Sequence, residues 1–189
     1  MKTFISVFVI VFTILFSFTG CSDESLLPGE PGSAENLNSL NKVTITEYTA
    51  INYPVEILDP GTVKIEGQFM IIKNMVMKTR YEATSPLVTG DLILTVNSKY
   101  NLETGEGPQH GKYSKVPDNY PDGLWVGNWA GYRTKTGESE WTGNIHIVGH
   151  GYGGEIDGMQ VITDEAVVSD DIFGQTGFYG EATGIIKSK

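Results

Sequence analysis

The chain has 189 residues and a formal net charge of −10 at pH 7, from 13 Lys and Arg against 23 Asp and Glu. Such an acidic chain repels phosphate backbones, which excludes nucleic acid as an expected partner and argues against docking on anionic lipid through protein charge. A single cysteine leaves no internal disulfide, and the length suits one domain with its own core.

The first twenty residues have the pattern of a secretory signal peptide. Lys2 supplies a positive charge, an apolar run extends from Phe4 to Phe18, and the small residues Thr19 and Gly20 follow it. The run is shorter than the ~20 apolar residues of a membrane-spanning helix. We therefore interpret residues 1–20 as a signal that is removed from the mature chain.

Residues 19–21, Thr-Gly-Cys, resemble the lipobox of bacterial lipoproteins, although Phe18 stands where leucine is usual. The resemblance implies cleavage before Cys21 and diacylation of its sulfur with chains such as palmitate. Two or more chains, at ~0.8 kcal/mol per buried methylene, hold a protein stably on a membrane. The alternative is an ordinary signal peptide followed by a chance cysteine.

Residues 21–41 are polar, contain proline and glycine, and show no sustained period, which predicts a flexible tether. The acidic stretch Ser22-Asp23-Glu24 resembles the surface-export signals of Bacteroidetes lipoproteins. It implies a lipid-anchored protein of the outer membrane that is displayed on the cell surface. The alternative is a plain polar tether, because charge runs are usually only solvated.

From Lys42 to Lys189 the dominant period is two, which predicts a single all-β domain. Eight or nine short strands with few helices predict an antiparallel β-barrel of about eight strands, which leaves no exposed edge, and a β-sandwich is the alternative. A barrel of this size has room for interior side chains or one small ligand. The predicted strands are 43–48, 63–71, 75–83, 87–98, 112–116, 124–134, 140–149, 155–168 and 177–187, with a tight turn at Lys73-Asn74.

The most distinctive strand, Gly123–Arg133, reads GLWVGNWAGYR. Large residues and glycine alternate on the face that carries both of its tryptophans, as a barrel interior often requires. The pattern predicts an aromatic-lined pocket for an apolar or sugar-like ligand. The alternative is a packed tryptophan core. The candidate binding residues are Trp125, Trp129, Tyr132, Arg133 and, on the following strand, Trp141.

Gly127-Asn128-Trp129 resembles the G-x-W signature of lipocalins and the wider calycin barrels. In lipocalins the signature lies on the first strand and an arginine of the last strand packs over the tryptophan, whereas here the motif is late in the chain and Arg133 is four residues away. Thr89-Gly90, the loop 105–111 and the glycine-rich hairpins resemble small bacterial barrels of the allene oxide cyclase type. Both resemblances imply a calycin-like barrel.

Four polar residues near one turn are the candidates for chemistry. His146 and His150 are four apart on a predicted strand, so they share a face, and Glu155 and Asp157 follow after a glycine-rich turn. His146 and Glu155 are the candidates for acid–base catalysis in a barrel mouth. His146, His150 and Asp157 only weakly match a metal site, so we expect neither a metal nor another cofactor.

Further carboxylates are expected in solvated loops, with a calcium site as the alternative. They are Asp118, Asp122, Asp164, Glu165, Asp170 and Asp171.

No G-x-S-x-G elbow or P-loop occurs in the sequence. The leading hypothesis is therefore an envelope-anchored module that binds a small apolar or glycan ligand, or a protein partner. Its remaining expected partner is the membrane, through the lipid on Cys21. The alternatives are a non-covalent acid–base enzyme, such as a cyclase, isomerase or lyase, and a purely structural envelope protein.

Overall fold

A computed structural model of the chain describes residues 43–170 and 177–189. The predicted signal peptide and tether, Cys21 and Asp171 lie outside the described residues, so what the sequence predicts for them stays a prediction. Within the described ranges, no helix is long and apolar enough to cross a membrane.

In the described ranges, nine antiparallel strands follow one another in a meander in which each strand from the third onward pairs with the next. A short 3-10 turn, Gly154–Ile156, lies between the seventh and eighth of them. The strands are β1 (Thr44–Asp59), β2 (Thr62–Glu66), β3 (Phe69–Ala83), β4 (Gly90–Asn101), β5 (Gly107–Pro117), β6 (Leu124–Lys135), β7 (Trp141–Tyr152), β8 (Gln160–Ser169) and β9 (Phe178–Ser188).

The long first strand closes the sheet into a barrel. Its first part, from Thr44 to Asn52, pairs with β9, and its second part, from Ala50 to Asp59, pairs with β3. Eight strands therefore form a closed ring, and β2 is an extra strand that pairs with β3. The predicted antiparallel barrel of about eight strands is confirmed.

The predicted turn at Lys73-Asn74 is wrong. The chain reverses at Gly67-Gln68, where Gly67 adopts a φ of 60° that glycine reaches without steric cost. β3 continues through Lys73-Asn74 with a shift of register between Ile72 and Met75, and Asn74 has a φ of 56°. The positive φ of Asn74 thus belongs to a bulge inside the strand and not to a turn.

The side chains that alternation places inside the barrel form two halves that are packed differently. The half next to the β3–β4 and β7–β8 connections is filled by Val88, Trp125 and Ile156, none of which is accessible to solvent. Trp125 Nε1 donates a hydrogen bond of 2.8 Å to the carbonyl oxygen of Leu87, which fixes the ring in this packed end. The other half contains the cavity.

Candidate ligand-binding cavity

A partly enclosed cavity of about 90 Å³ occupies the half of the barrel opposite the packed end. Its wall is mainly apolar because the inward positions of β3, β4, β7 and β8 carry methionine and aliphatic side chains. Apolar walls with a few placed polar groups are typical of small-molecule sites. The apolar wall consists of Met75, Met77, Leu92, Leu94, Val96, Ile145, Ile147, Val167 and Phe178, and the aromatic wall of Tyr100, Tyr113, Trp129 and Trp141.

The outer rim of the cavity is built around Arg133, which is buried although it is charged. Its guanidinium carbon lies 4.8 Å from the centre of the Trp141 ring and 5.3 Å from that of Tyr100, so the cation packs against two aromatic rings. The Tyr100 hydroxyl in turn donates a hydrogen bond of 3.0 Å to Gln109 Oε1. These contacts hold the rim side chains in defined positions.

Two polar side chains, Asn52 from β1 and Glu165 from β8, enter the cavity wall deeper in the barrel. Only 3% of Glu165 is exposed, and its Oε1 accepts a hydrogen bond of 3.0 Å from Asn52 Nδ2. Burial raises the pKa of Glu165 to about 7, and the Asn52 hydrogen bond and the charge of Lys115 oppose that shift only in part. Burial thus favours the protonated form of this carboxyl group far more than water would.

Lys115 on β5 is buried and interacts electrostatically with Glu165, but it does not line the cavity. Its ammonium nitrogen sits 4.0 Å from the centre of the Tyr81 ring. Burial lowers the pKa of Lys115 to about 7, and the charge of Glu165 opposes the shift. The barrel interior therefore holds an acid and a base that both titrate near neutrality.

Three buried tyrosines surround these groups. The Tyr48 hydroxyl is 2.5 Å from Thr163 Oγ1, which joins β1 to β8. Burial raises the pKa of Tyr48, Tyr81 and Tyr113, so all three remain neutral hydroxyls at physiological pH.

The five binding candidates do not share one surface. Trp129, Arg133 and Trp141 line the cavity. Trp125 lies in the packed end, and Tyr132 is 53% exposed on the outside of the barrel. Tyr132 points outward because successive side chains of a strand alternate between faces, and its neighbour Arg133 points inward.

The candidates for acid–base chemistry and metal binding lie outside the barrel. His146 is on the outer face of β7, where its Nδ1 is 2.7 Å from Asp164 Oδ1. His150 is exposed on the same face, and Glu155 and Asp157 are exposed around the 3-10 turn. In the part of the chain that the structure describes, no three His, Cys, Asp or Glu residues group as metal ligands would. None of these four residues lines the cavity.

The assignment of Glu165 to a solvated loop is wrong. Glu165 is a buried residue of β8, whose alternation places Val161, Thr163, Glu165 and Val167 on the inner side. The sequence shows this alternation, but the charge of Glu165 and its position beside other acids favoured a solvated loop. Asn52 and Lys115 were missed as well, because their interactions with Glu165 arise from the curvature and closure of the sheet, which local sequence does not show.

The fold and the site define an eight-stranded antiparallel barrel with a ligand-sized interior cavity. Comparison with protein-family models, with curated proteins and with solved structures returned no match. The likeness to lipoproteins, calycins and allene oxide cyclase barrels therefore depends on the sequence motifs alone.

Proposed function

We propose that the chain is a lipid-anchored envelope protein whose barrel binds a small, mainly apolar ligand. The observation that carries the proposal is the interior cavity of about 90 Å³, walled by methionine, aliphatic and aromatic side chains. In the other half of the barrel, the core side chains are packed so closely that solvent does not reach them. The cavity is space that packing leaves unfilled. The signal-peptide and lipobox motifs support the envelope address and the anchor on Cys21.

The composition of the wall favours an apolar ligand over a glycan. A sugar presents hydroxyl groups around its whole ring, and each buried hydroxyl needs a partner. Most of the wall consists of aliphatic and aromatic side chains, and few polar side chains, such as Asn52 and Glu165, interrupt it. Burying an apolar surface there is favourable by ~25 cal/mol per Å².

The size of the cavity limits the part of the ligand that it encloses. An apolar cavity of ~150 Å³ in another protein binds benzene, so 90 Å³ suits an alkyl group of a few carbons. Even the best ligands of this size reach only about −1.5 kcal/mol per heavy atom. We therefore expect dissociation constants in the micromolar to millimolar range for simple probes.

Binding is tested by quenching of tryptophan fluorescence with 1-bromobutane, whose heavy atom quenches rings that it contacts. Trp129 and Trp141 line the cavity, whereas Trp125 does not and serves as an internal control. Saturable quenching is expected in the Trp125→Phe variant, which keeps the two cavity tryptophans. It should be absent when only Trp125 remains, in the double variant Trp129→Phe/Trp141→Phe.

A cavity-filling variant supplies the second arm of this test. Val167 is half-buried in the cavity wall, so Val167→Phe places a ring in the space that the probe needs. The variant should lose saturable quenching and keep its near-ultraviolet circular dichroism. Equal quenching of all three tryptophans, or saturable quenching that survives Val167→Phe, would refute binding in the cavity.

A second candidate function, general acid–base catalysis, is favoured by the position of Glu165. A carboxyl group in an apolar cavity with a pKa raised to about 7 is suited to accept and return a proton at neutral pH. The role assigned earlier to His146 or Glu155 would then fall to Glu165. The test is hydrogen–deuterium exchange at the α-carbon of butanone in D₂O, followed by NMR, for the native chain and Glu165→Gln. If the native chain catalyses the exchange no faster than Glu165→Gln does, acid–base catalysis by Glu165 is eliminated.

A further inference from the structure

We propose that the cavity selects a ligand with an ammonium head, a small aliphatic primary amine, which donates hydrogen bonds to Glu165 and Asn52 while its alkyl chain contacts the apolar wall. This inference rests on the proposed binding function and specifies the ligand class.

The first support is the unused acceptor capacity of Glu165. An ionised carboxylate offers about four lone-pair sites on its two oxygens. Asn52 Nδ2 is its one side-chain hydrogen-bond donor in the described part of the molecule. The remaining capacity belongs to a side chain that is 3% exposed and lines the cavity, where water has little access.

The second support is the other atom of the same amide. Asn52 Oδ1 is buried and, among the described residues, has no hydrogen-bond partner. A buried acceptor without a donor destabilises the folded state, because its interaction with water is lost and not replaced. Asn52 and Glu165 thus place two acceptors side by side with a single donor between them, whereas the unpartnered donors among the described residues of the wall, the Tyr113 hydroxyl and Trp141 Nε1, belong to other side chains.

Lys115 does not supply the missing donors. Between residues 43–170 and 177–189, no ion pair within 4.0 Å joins Lys115 to Glu165, and the Lys115 ammonium lies over the Tyr81 ring instead. Burial lowers the pKa of Lys115 to about 7, which favours its neutral form beside a cation bound at Glu165. The interior can therefore accept a cationic ligand without two adjacent positive charges.

The acceptor atoms of Asn52 and Glu165 distinguish an amine from an alcohol or a carboxylate of the same length. A primary ammonium has three donors and a positive charge, so it can satisfy acceptors on β1 and β8 together, and the faces of Tyr113 and Trp129 also attract cations. An alcohol of the same length has one donor and no charge. A carboxylate would place its oxygens against the acceptors of Asn52 and Glu165.

The experiment is a competition against 1-bromobutane at pH 8. The chain as the cell processes it is reconstituted in lipid nanodiscs, with empty nanodiscs as the blank, so that no free detergent occupies the cavity. Recovery of tryptophan fluorescence is measured with butylamine, 1-butanol and butyrate. We expect butylamine to compete at a concentration at least tenfold lower than 1-butanol, and butyrate to compete more weakly than either.

Glu165→Gln keeps the shape of the side chain and removes its charge. In that variant 1-bromobutane should still quench, and butylamine should lose its advantage over 1-butanol. Glu181→Gln, an exposed acid on the neighbouring strand β9, is the matched control and should keep the advantage. An amine no better than the alcohol in the native chain, or an amine preference that survives Glu165→Gln, would overturn the inference and leave the apolar site standing. Absence of saturable 1-bromobutane quenching would overturn the proposed function itself.

Discussion

Asn52 on β1 donates a hydrogen bond of 3.0 Å to Glu165 on β8, across the intervening strand β9. The residue between them on β9 is Gly180, which pairs with Asn52 in the sheet register. A Cβ atom at position 180 would lie 2.0 Å from Glu165 Oε1. The bond between the two side chains therefore depends on the absence of a side chain on the strand that separates them.

Gly180→Ala tests this dependence. The added methyl group forces the Glu165 carboxylate away from Asn52, and such overpacking typically costs ~1–3 kcal/mol. We expect the free energy of unfolding in urea to fall by about 1–2 kcal/mol at pH 8. In a Glu165→Ala background the same substitution should cost less than ~0.5 kcal/mol, because the clashing atoms are gone.

The control for that cycle is Gly137→Ala, in an exposed turn where a Cβ atom would lie 3.3 Å from its nearest neighbour. It should change the free energy of unfolding by less than ~0.5 kcal/mol. Equal costs of Gly180→Ala in the two backgrounds would show that the clash with Glu165 is not the cause.

Glu165→Gln should stabilise the protein in a pH-dependent manner. The pKa of Glu165 is raised from 4.5 to about 7 in the folded state, so the folded protein keeps a proton that the unfolded chain releases. Stability is therefore lost as pH rises through this window, and glutamine escapes the loss. At ~1.4 kcal/mol per pKa unit, the advantage of the variant should grow by about 3 kcal/mol between pH 4.5 and pH 8.

The measurement is urea unfolding of the native chain and of Glu165→Gln at pH 4.5 and pH 8, with Glu181→Gln as the exposed control. A difference in unfolding free energy that is the same at both values would contradict the burial of an ionisable carboxyl group.

Lys115→Met should show the opposite pH dependence. The pKa of Lys115 is lowered from 10.5 to about 7 in the folded state, so the unfolded chain binds a proton that the folded protein lacks. Stability is then lost as pH falls from about 10.5 to about 7, and methionine, of similar length, removes this loss. The advantage of the variant in urea unfolding should be several kcal/mol larger at pH 7.5 than at pH 10, from the same ~1.4 kcal/mol per unit.

Lys112→Met is the matched control, since Lys112 is exposed on the same strand. Its effect should not change between the two pH values. A parallel response of the two lysine variants would mean that Lys115 is solvated in the folded protein.

Met77→Ala should enlarge the cavity and change the size of ligand that it accepts. Met77 is buried and lines the cavity, and methionine-to-alanine substitutions in protein cores cost ~2–5 kcal/mol. We expect a loss of that size in urea unfolding, together with tighter binding of 1-bromohexane relative to 1-bromobutane. Ile93→Ala, on the outer face of β4, should leave the ratio of the two affinities unchanged. A ratio unchanged in Met77→Ala would place the probes elsewhere.

Local alternation made much of the fold predictable. On β6 the repeat of tryptophan and glycine predicted one face shared by Trp125, Trp129 and Arg133, and all three are buried. The same rule placed His146 and His150 together but gave no sign of which face was inside, and both proved to be outside. A period of two specifies that residues share a face, whereas the direction of that face depends on the whole sheet.

The pairing of Asn52 with Glu165 in the cavity wall could not be derived from alternation along single strands. Asn52 and Glu165 are 113 positions apart, and they meet only because β1 pairs with β9 and closes the ring. The sequence also did not predict that one half of the interior is packed and the other contains a cavity. Trp125 fills the packed end, whereas Trp129, four residues later, lines the cavity. Both features depend on packing between strands distant in sequence, which local patterns do not encode.

The most direct test of the central claim, that the barrel holds an apolar ligand site, is a crystal structure under xenon pressure. Xenon enters apolar cavities of sufficient size and is seen by its anomalous scattering. The account predicts a xenon atom inside the barrel, in contact with Met77, Leu94 and Trp129, and no such atom in Val167→Phe. Xenon confined to the outer surface, or an interior filled by ordered water along those side chains, would contradict it.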